Sequence, residues 1–250
     1  MIIFNNIRTK RLAVRLREIT IDEAVSVCRL PAERHEATTT EFLRCVARDA
    51  ESPTPRYVTD PRMMTVEERT LLVCHYLAQV SGSGPNFPVG ESGCLLDYVA
   101  FADDLAVDHV DMGEVAGKAR TLRPLLGAHV ETLERLCESR GDWLIGVLAC
   151  QVHDAGAPVP EYTAMTDVEL LEWCQSRIKA IRGMGESEVE ELYVHFDRCK
   201  VALKHFFIPG ANDGGMVYLP QPEAEEAGRS TPARFRALPC ISEFTRRLFA

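Results

Sequence analysis

TVEERTLLVCHYLAQV, residues 65 to 80, opens with Thr65 and Glu68 in the S/T-x-x-E spacing of a capping box. At that spacing the threonine hydroxyl and the glutamate carboxylate satisfy amides that the first turn leaves without intrahelical partners, so a helix is predicted to begin here. Wound at about 100° per residue, the helix has a polar first turn, after which Leu71, Leu72, Val73, Cys74, Tyr76 and Leu77 cover nearly its whole circumference. A helix apolar all round belongs in a core. It holds no paired carboxylates, no nucleophile beside a base and no metal-ligand spacing, so its information concerns packing.

Upstream, residues 12 to 18 read LAVRLRE, which puts Leu12, Val14 and Leu16 on one side of a strand and Ala13, Arg15 and Arg17 on the other. Met1 to Ile7 supplies a partner strand, with Asn5-Asn6 or the Arg8 to Arg11 segment as the turn. A two-stranded antiparallel ribbon is barely stable alone, so its apolar side must pack on helices or on another chain. Thr20 and Glu23 form a second capping box, starting a short helix that Pro31 stops. Ala32 to Ala50 is predicted helical, followed by an irregular connection, ESPTPRYVTDPRMM, with three prolines.

Downstream, the loop SGSGPNFPVGESG at 81 to 93 is the strongest internal boundary. Leu95 to Ala102 is a short strand or helix, and Asp103 to Asp111 an acidic connection. Pro124 is placed to open a helix reaching Cys137, Asp142 to cap one over Trp143 to His153, and Thr166/Glu169 and Ser187/Glu190 form two more capping boxes. After Ser187, Val189, Leu192, Tyr193, Phe196, Cys199, Leu203 and Phe206 make one apolar stripe ended by Pro209-Gly210. The expected architecture is mainly α within the α+β class. A small N-terminal antiparallel β ribbon plus helices fills 1–80, a linker 81–94 and a helical domain 95–209, and an extended C-terminal arm spans 210–250 with a short helix at 241 to 249.

Composition narrows the function classes. A 250-residue chain with 46% hydrophobic residues can bury a sizeable core, and a net charge of -9 opposes nucleic acid as a general partner. Two basic groups stand against that charge: Arg8, Lys10, Arg11, Arg15 and Arg17 near the start, and Arg229, Arg234, Arg236, Arg246 and Arg247 near the end. Nine cysteines with no two closer than 13 residues, and a start without signal-peptide character, predict reduced thiols in a cytosol. The longest apolar run, Trp143 to Cys150, is far below the roughly 20 residues that span a bilayer, so no membrane anchor is expected.

Each constellation that imitates chemistry falls short. Gly113 to Ala119 is one residue short of a phosphate loop and lacks the magnesium-binding hydroxyl, and Ser81 to Gly84 lacks the third glycine of a dinucleotide turn. His35-Glu36 has Thr39 where a zinc-protease helix needs its second histidine. His195 and Cys199 share a helix face, but Cys199 belongs to the apolar stripe. Cys74 and His75 point roughly 100° apart, a poor orientation for thiolate and base. Asp142 as a helix cap explains Arg140-Gly141-Asp142, and Asp103, Asp104, Asp108 and Asp111 lack the glycine and distal glutamate of a calcium loop. No catalytic, metal or cofactor site is expected.

The order from residue 10 to 80 is a strand with Val14-Arg15-Leu16, a capped helix ITIDEAV, a second helix TTTEFLRCVARDA and then MTVEERTLLVCHYLA. This layout resembles the baseplate hub assembly proteins of T-even phages and the related tail proteins of Mu-like and long-tailed phages. Thr65, Glu68, Arg69 and Leu72 stand at the positions of that family's Thr-x-x-[Asp/Glu]-Arg-x-x-Leu helix start. The resemblance implies a non-enzymatic tail-tip or baseplate component or assembly factor. Such a protein would act in the host cytoplasm, or in the virion tail, through contacts with hub and tail proteins rather than with nucleic acid, membrane or a small-molecule substrate. On that basis Arg11, Arg15 and Arg17 are the candidate partner interface, the ribbon's other side packing on the chain's own helices. A bacterial cytosolic adaptor, or a metalloprotein whose site is built from distant residues, is the alternative.

Overall fold

The computed structural model describes every residue except 1–3, 53–57, 83, 105–106, 204, 227, 229 and 250. The first residues of the expected partner strand, the middle of the proline-rich connection and Arg229 therefore lie outside the described residues.

The chain is an α+β protein. Strands β1 (Ile7–Arg8) and β2 (Ala13–Leu16) are joined through a turn in which Thr9 N–H donates to Leu12 O at 2.8 Å, so the Arg8 to Arg11 segment makes the turn. Helix α1 (Ile21–Cys28) follows, with the Thr20/Glu23 capping box formed. Helix α2 (His35–Val46) is shorter than expected, because Ala47–Glu51 leaves the helix as strand β3 and pairs with the other edge of β2. The expected ribbon is thus a three-stranded antiparallel sheet, β1-β2-β3. The edge of β2 overrides the helix propensity of Ala47 to Ala50, as tertiary pairing commonly does.

The predicted central helix is α3 (Val66–Val80), with both hydrogen bonds of the Thr65/Glu68 capping box in place. It touches every core of the described structure. Leu72, Val73 and Tyr76 pack with Leu12, Val14, Leu16, Phe42 and Leu43 in the N-terminal core. Val66 enters the large core of the second half, and Cys74 packs with Phe87, Tyr98, Phe207, Tyr218 and Phe235 in a third. The polar first turn is also buried: Glu67, Glu68, Arg69 and Thr70 are as enclosed as the leucines.

After α3 comes a short hairpin, β4 (Pro88–Val89) with β5 (Gly93–Cys94), and a 3-10 turn at Leu95–Asp97. Strands β6 (Val110–Val115) and β7 (Lys118–Leu122) form a hairpin whose Ala116-Gly117 turn has positive φ at both residues, so the segment that imitated a phosphate loop is a two-residue turn and the paired strand ends beside it. Helices α4 (Gly127–Leu136) and α5 (Arg140–Gln151) lead to strand β8 (Val152–Asp154), which completes the sheet β6-β7-β8. Helix α5 is capped by Ser139 rather than Asp142, which sits at the third helical position and returns the reciprocal bond of a capping box. Helix α6 (Asp167–Arg182) has the expected Thr166/Glu169 box, whereas α7 (Glu186–Leu203) starts before Ser187, with Gly185 N–H donating to Glu188.

The expected extended arm is folded instead. Strand β9 (Ile208–Asn212), which contains Pro209-Gly210, pairs with β10 (Gly215–Leu219), and helices α8 (Pro222–Glu226) and α9 (Glu243–Phe249) follow. Tyr218 and Phe235 supply the third core, while Cys240 and Ile241 pack against α3 in the N-terminal core. Nor is the 81–94 loop free of either half, since Phe87 is buried in the same third core.

Candidate functional site

The N-terminal sheet separates its residues as the alternation predicts. Leu12, Val14 and Leu16 are buried, and Arg15 points to solvent. In register, Arg8 pairs with Ala13, and Arg15 stands directly opposite Arg48 of β3. Residues paired across a sheet share a face, as do residues two apart, so Arg8, Arg15 and Arg48 lie together on the outward side, with one carboxylate, Glu51 opposite Ala13, on the same face. All three are exposed, and none makes a side-chain hydrogen bond or ion pair among the described residues. Arg48 carried no signal in the sequence, because Ala47 to Ala50 read as the end of a helix.

The other two candidate arginines turn inward. Arg11 Nε donates to Glu68 Oε1 at 3.0 Å, and its Nη1 lies 3.8 Å from Asp108. Glu68 has no exposed side-chain surface, so Arg11 neutralises a carboxylate already committed to capping α3. Arg17 grips Glu23 with both terminal nitrogens and also donates to Glu18 O at 2.9 Å. That contact, together with the hydrogen bonds from Thr20, holds the Glu23 carboxyl down at about 2. Arg17 therefore stabilises the start of α1, and Arg15 alone of the three presents its charge outward.

A second charged group lies at the foot of α3. Arg69 is the largest fully buried side chain: its Nη2 donates to Glu36 O at 2.6 Å and to Thr40 Oγ1 at 3.0 Å, and its Nη1 is 3.5 Å from the Glu36 carboxylate. Thr40 in turn donates to Glu131, which lies 3.4 Å from Arg62. Glu134 of α4 accepts from the amides of Glu36 and Ala37 at 2.8 and 3.3 Å, supplying the cap that α2 lacks from its own sequence. Gly127 completes the arrangement, since a Cβ there would sit 2.6 Å from Arg69 Nη1 and 2.8 Å from Pro61 O. Thr65, Glu68, Arg69 and Leu72, the four motif positions, are all buried, so this structure gives each a packing or capping task.

The remaining constellations are dispersed or engaged. His195 Nδ1 is 3.1 Å from Met112 O and 3.0 Å from Arg198 Nη2, and Cys199 lies 3.9 Å from Asp111 O. Asp104 accepts from Lys10 N–H and faces His205 Nε2 at 3.1 Å, and Asp111 accepts from Gly113 N–H. All nine cysteines are free thiols; burial pushes those of Cys45 and Cys137 up to about 11 and about 12, which makes them poor nucleophiles near neutrality. Among the described residues no group of three or more His, Cys, Asp or Glu side chains has metal-ligand geometry, and no helix is long and apolar enough to cross a membrane.

No protein-family model, curated protein or solved structure matches the chain.

Proposed function

We propose that the chain is a non-enzymatic component or assembly factor of a phage tail tip or baseplate, working through contacts with hub and tail proteins in the host cytoplasm. The observation that carries the proposal is the exposed arginine face of the N-terminal sheet in a chain of net charge -9. Like charges directly opposed across a sheet weaken the pairing, so the Arg15–Arg48 register costs the isolated protein stability. An acidic partner docked on that face turns the cost into complementarity. The resemblance carried by residues 10 to 80, in which β3 stands between the second helix and the central one, and by the Thr65, Glu68, Arg69 and Leu72 helix start supports a tail protein as that partner.

Arg15→Glu combined with Arg48→Glu tests this interface without touching the Arg11–Glu68 or Arg17–Glu23 contacts. The double variant is expected to fold with a wild-type unfolding midpoint and to fail in a complementation assay for tail assembly. Normal tails from the folded variant would refute the assignment.

A further inference from the structure

A cavity of about 630 Å³, a size typical of small-molecule sites, opens between the N-terminal segment, the β7–α4 connection and the loop that follows β8. Of the ten buried side-chain polar atoms that lack a partner among the described residues, three belong to residues lining this one space: Arg123 Nε, His129 Nε2 and the Tyr162 hydroxyl. Native interiors pair nearly all such atoms, and three orphans around one cavity call for a common explanation.

The protonation of the site follows from its geometry. His129 is 1% exposed in the first turn of α4, and its Nδ1 accepts from Leu126 N–H at 3.3 Å, so the ring's own proton lies on Nε2. Burial lowers its pKa to about 3, with the neighbouring His153 and Arg177 adding to the effect, and keeps the ring neutral. Tyr162 meets the His129 ring edge-on at 4.6 Å, and Trp173 stacks on His129 at 5.7 Å, which fixes the imidazole in place. Burial raises the Tyr162 pKa, so its hydroxyl stays protonated. All three orphan groups are therefore hydrogen-bond donors, and one carries a positive charge. Arg11, also on the wall, already shares its charge with Glu68 and with Asp108, itself a lining residue, and the remaining carboxylate of the wall, Glu161, is exposed to solvent. Met63, Leu126 and Val159 provide apolar lining.

We propose that this cavity binds a small monocarboxylate with an apolar body, the carboxylate being held by Arg123, His129 and Tyr162. A single uncommitted guanidinium with two neutral donors matches one negative charge better than the two of a phosphate, and the apolar wall takes the body of the ligand. The site goes beyond the assembly role and does not depend on it.

Trp173 lies 5.4 Å from Tyr162 and is one of only two tryptophans, so its fluorescence reports on the cavity. The full chain is titrated with benzoate and hexanoate, with uncharged benzamide and inorganic phosphate as controls at equal ionic strength. One or both carboxylates are expected to bind saturably, and benzamide and phosphate at least about tenfold more weakly, as the loss of a charged hydrogen bond implies. Tyr162→Phe is expected to weaken carboxylate binding about fivefold without lowering the unfolding midpoint, because its hydroxyl has no protein partner to lose. Arg123→Gln is expected to abolish saturation. The inference is overturned if neither carboxylate saturates by about 10 mM, the weak end of specific binding. Phosphate binding as tightly as the carboxylates, or affinity unchanged in Tyr162→Phe, would overturn it equally.

Discussion

Replacing Arg69 with Met keeps most of the side chain's volume and removes its charge from the foot of α3. The loss comprises two hydrogen bonds, to Glu36 O at 2.6 Å and Thr40 Oγ1 at 3.0 Å, and the ion pair with the Glu36 carboxylate at 3.5 Å. Burial already raises the Glu36 pKa, with Arg69 as the main opposing influence and Glu131 a second carboxylate nearby. Without the guanidinium, the buried Glu36 carboxylate loses its main counter-charge while Glu131, paired with Arg62, stays nearby. Breaking a buried pair from one side costs about 3 to 5 kcal/mol, a large part of the roughly 5 to 15 kcal/mol that holds a domain together. Urea unfolding should show the midpoint falling by about 1 to 2 M with unchanged slope. Adding Glu36→Gln to Arg69→Met should restore more than about 1 kcal/mol, as a coupled pair requires. An Arg69→Met protein within about 1 kcal/mol of wild type, or strict additivity with Glu36→Gln, would refute the argument that this pair anchors the helix.

Three further outcomes follow from the same packing. Gly127→Ala should cost about 1 to 3 kcal/mol in thermal or urea unfolding, because the added methyl meets the Pro61 carbonyl as well as Arg69, and a backbone oxygen cannot step aside. Leu72→Asp should abolish soluble folding, since Leu72 has no exposed surface and an unpaired buried carboxylate costs several kcal/mol; a cooperative, wild-type-like melt would count against it. Glu67, whose carboxyl burial raises to about 7, binds a proton in the folded state that the unfolded chain releases above about 4.5, so its contribution to stability falls as pH rises from about 4.5 through 7. Glu67→Gln should remove that loss, and midpoints measured at pH 5 and pH 8 for the two proteins check it.

Legibility followed the range of the interactions. Thr65/Glu68, Thr20/Glu23 and Thr166/Glu169 specify helix starts within three residues, and all three formed where the spacing put them. Ser139 and Asp142 make the same device with Asp in place of Glu, so α5 starts three residues before the position that Asp142 as cap predicts. Long-range features left weaker marks. Ala47 to Ala50 has ordinary helix formers and becomes a strand only because β2 has a free edge beside it. The Gly- and Pro-rich stretch after 210 read as an open arm, yet Tyr218 bonds to Val66 O at 3.0 Å and to Thr70 at 2.5 Å across the whole chain. His129, Arg123 and Tyr162 are separated in sequence by other elements, and no spacing rule joins them around their cavity.

The most direct test of the proposed assembly role is deletion of the gene from a tailed-phage genome that encodes the chain, with particles counted by electron microscopy and infectivity restored from a plasmid. Tails lacking a completed tip, repaired by the wild-type chain and not by the folded Arg15→Glu, Arg48→Glu variant, are the predicted result. Normal, infectious tails from the deletion would contradict it.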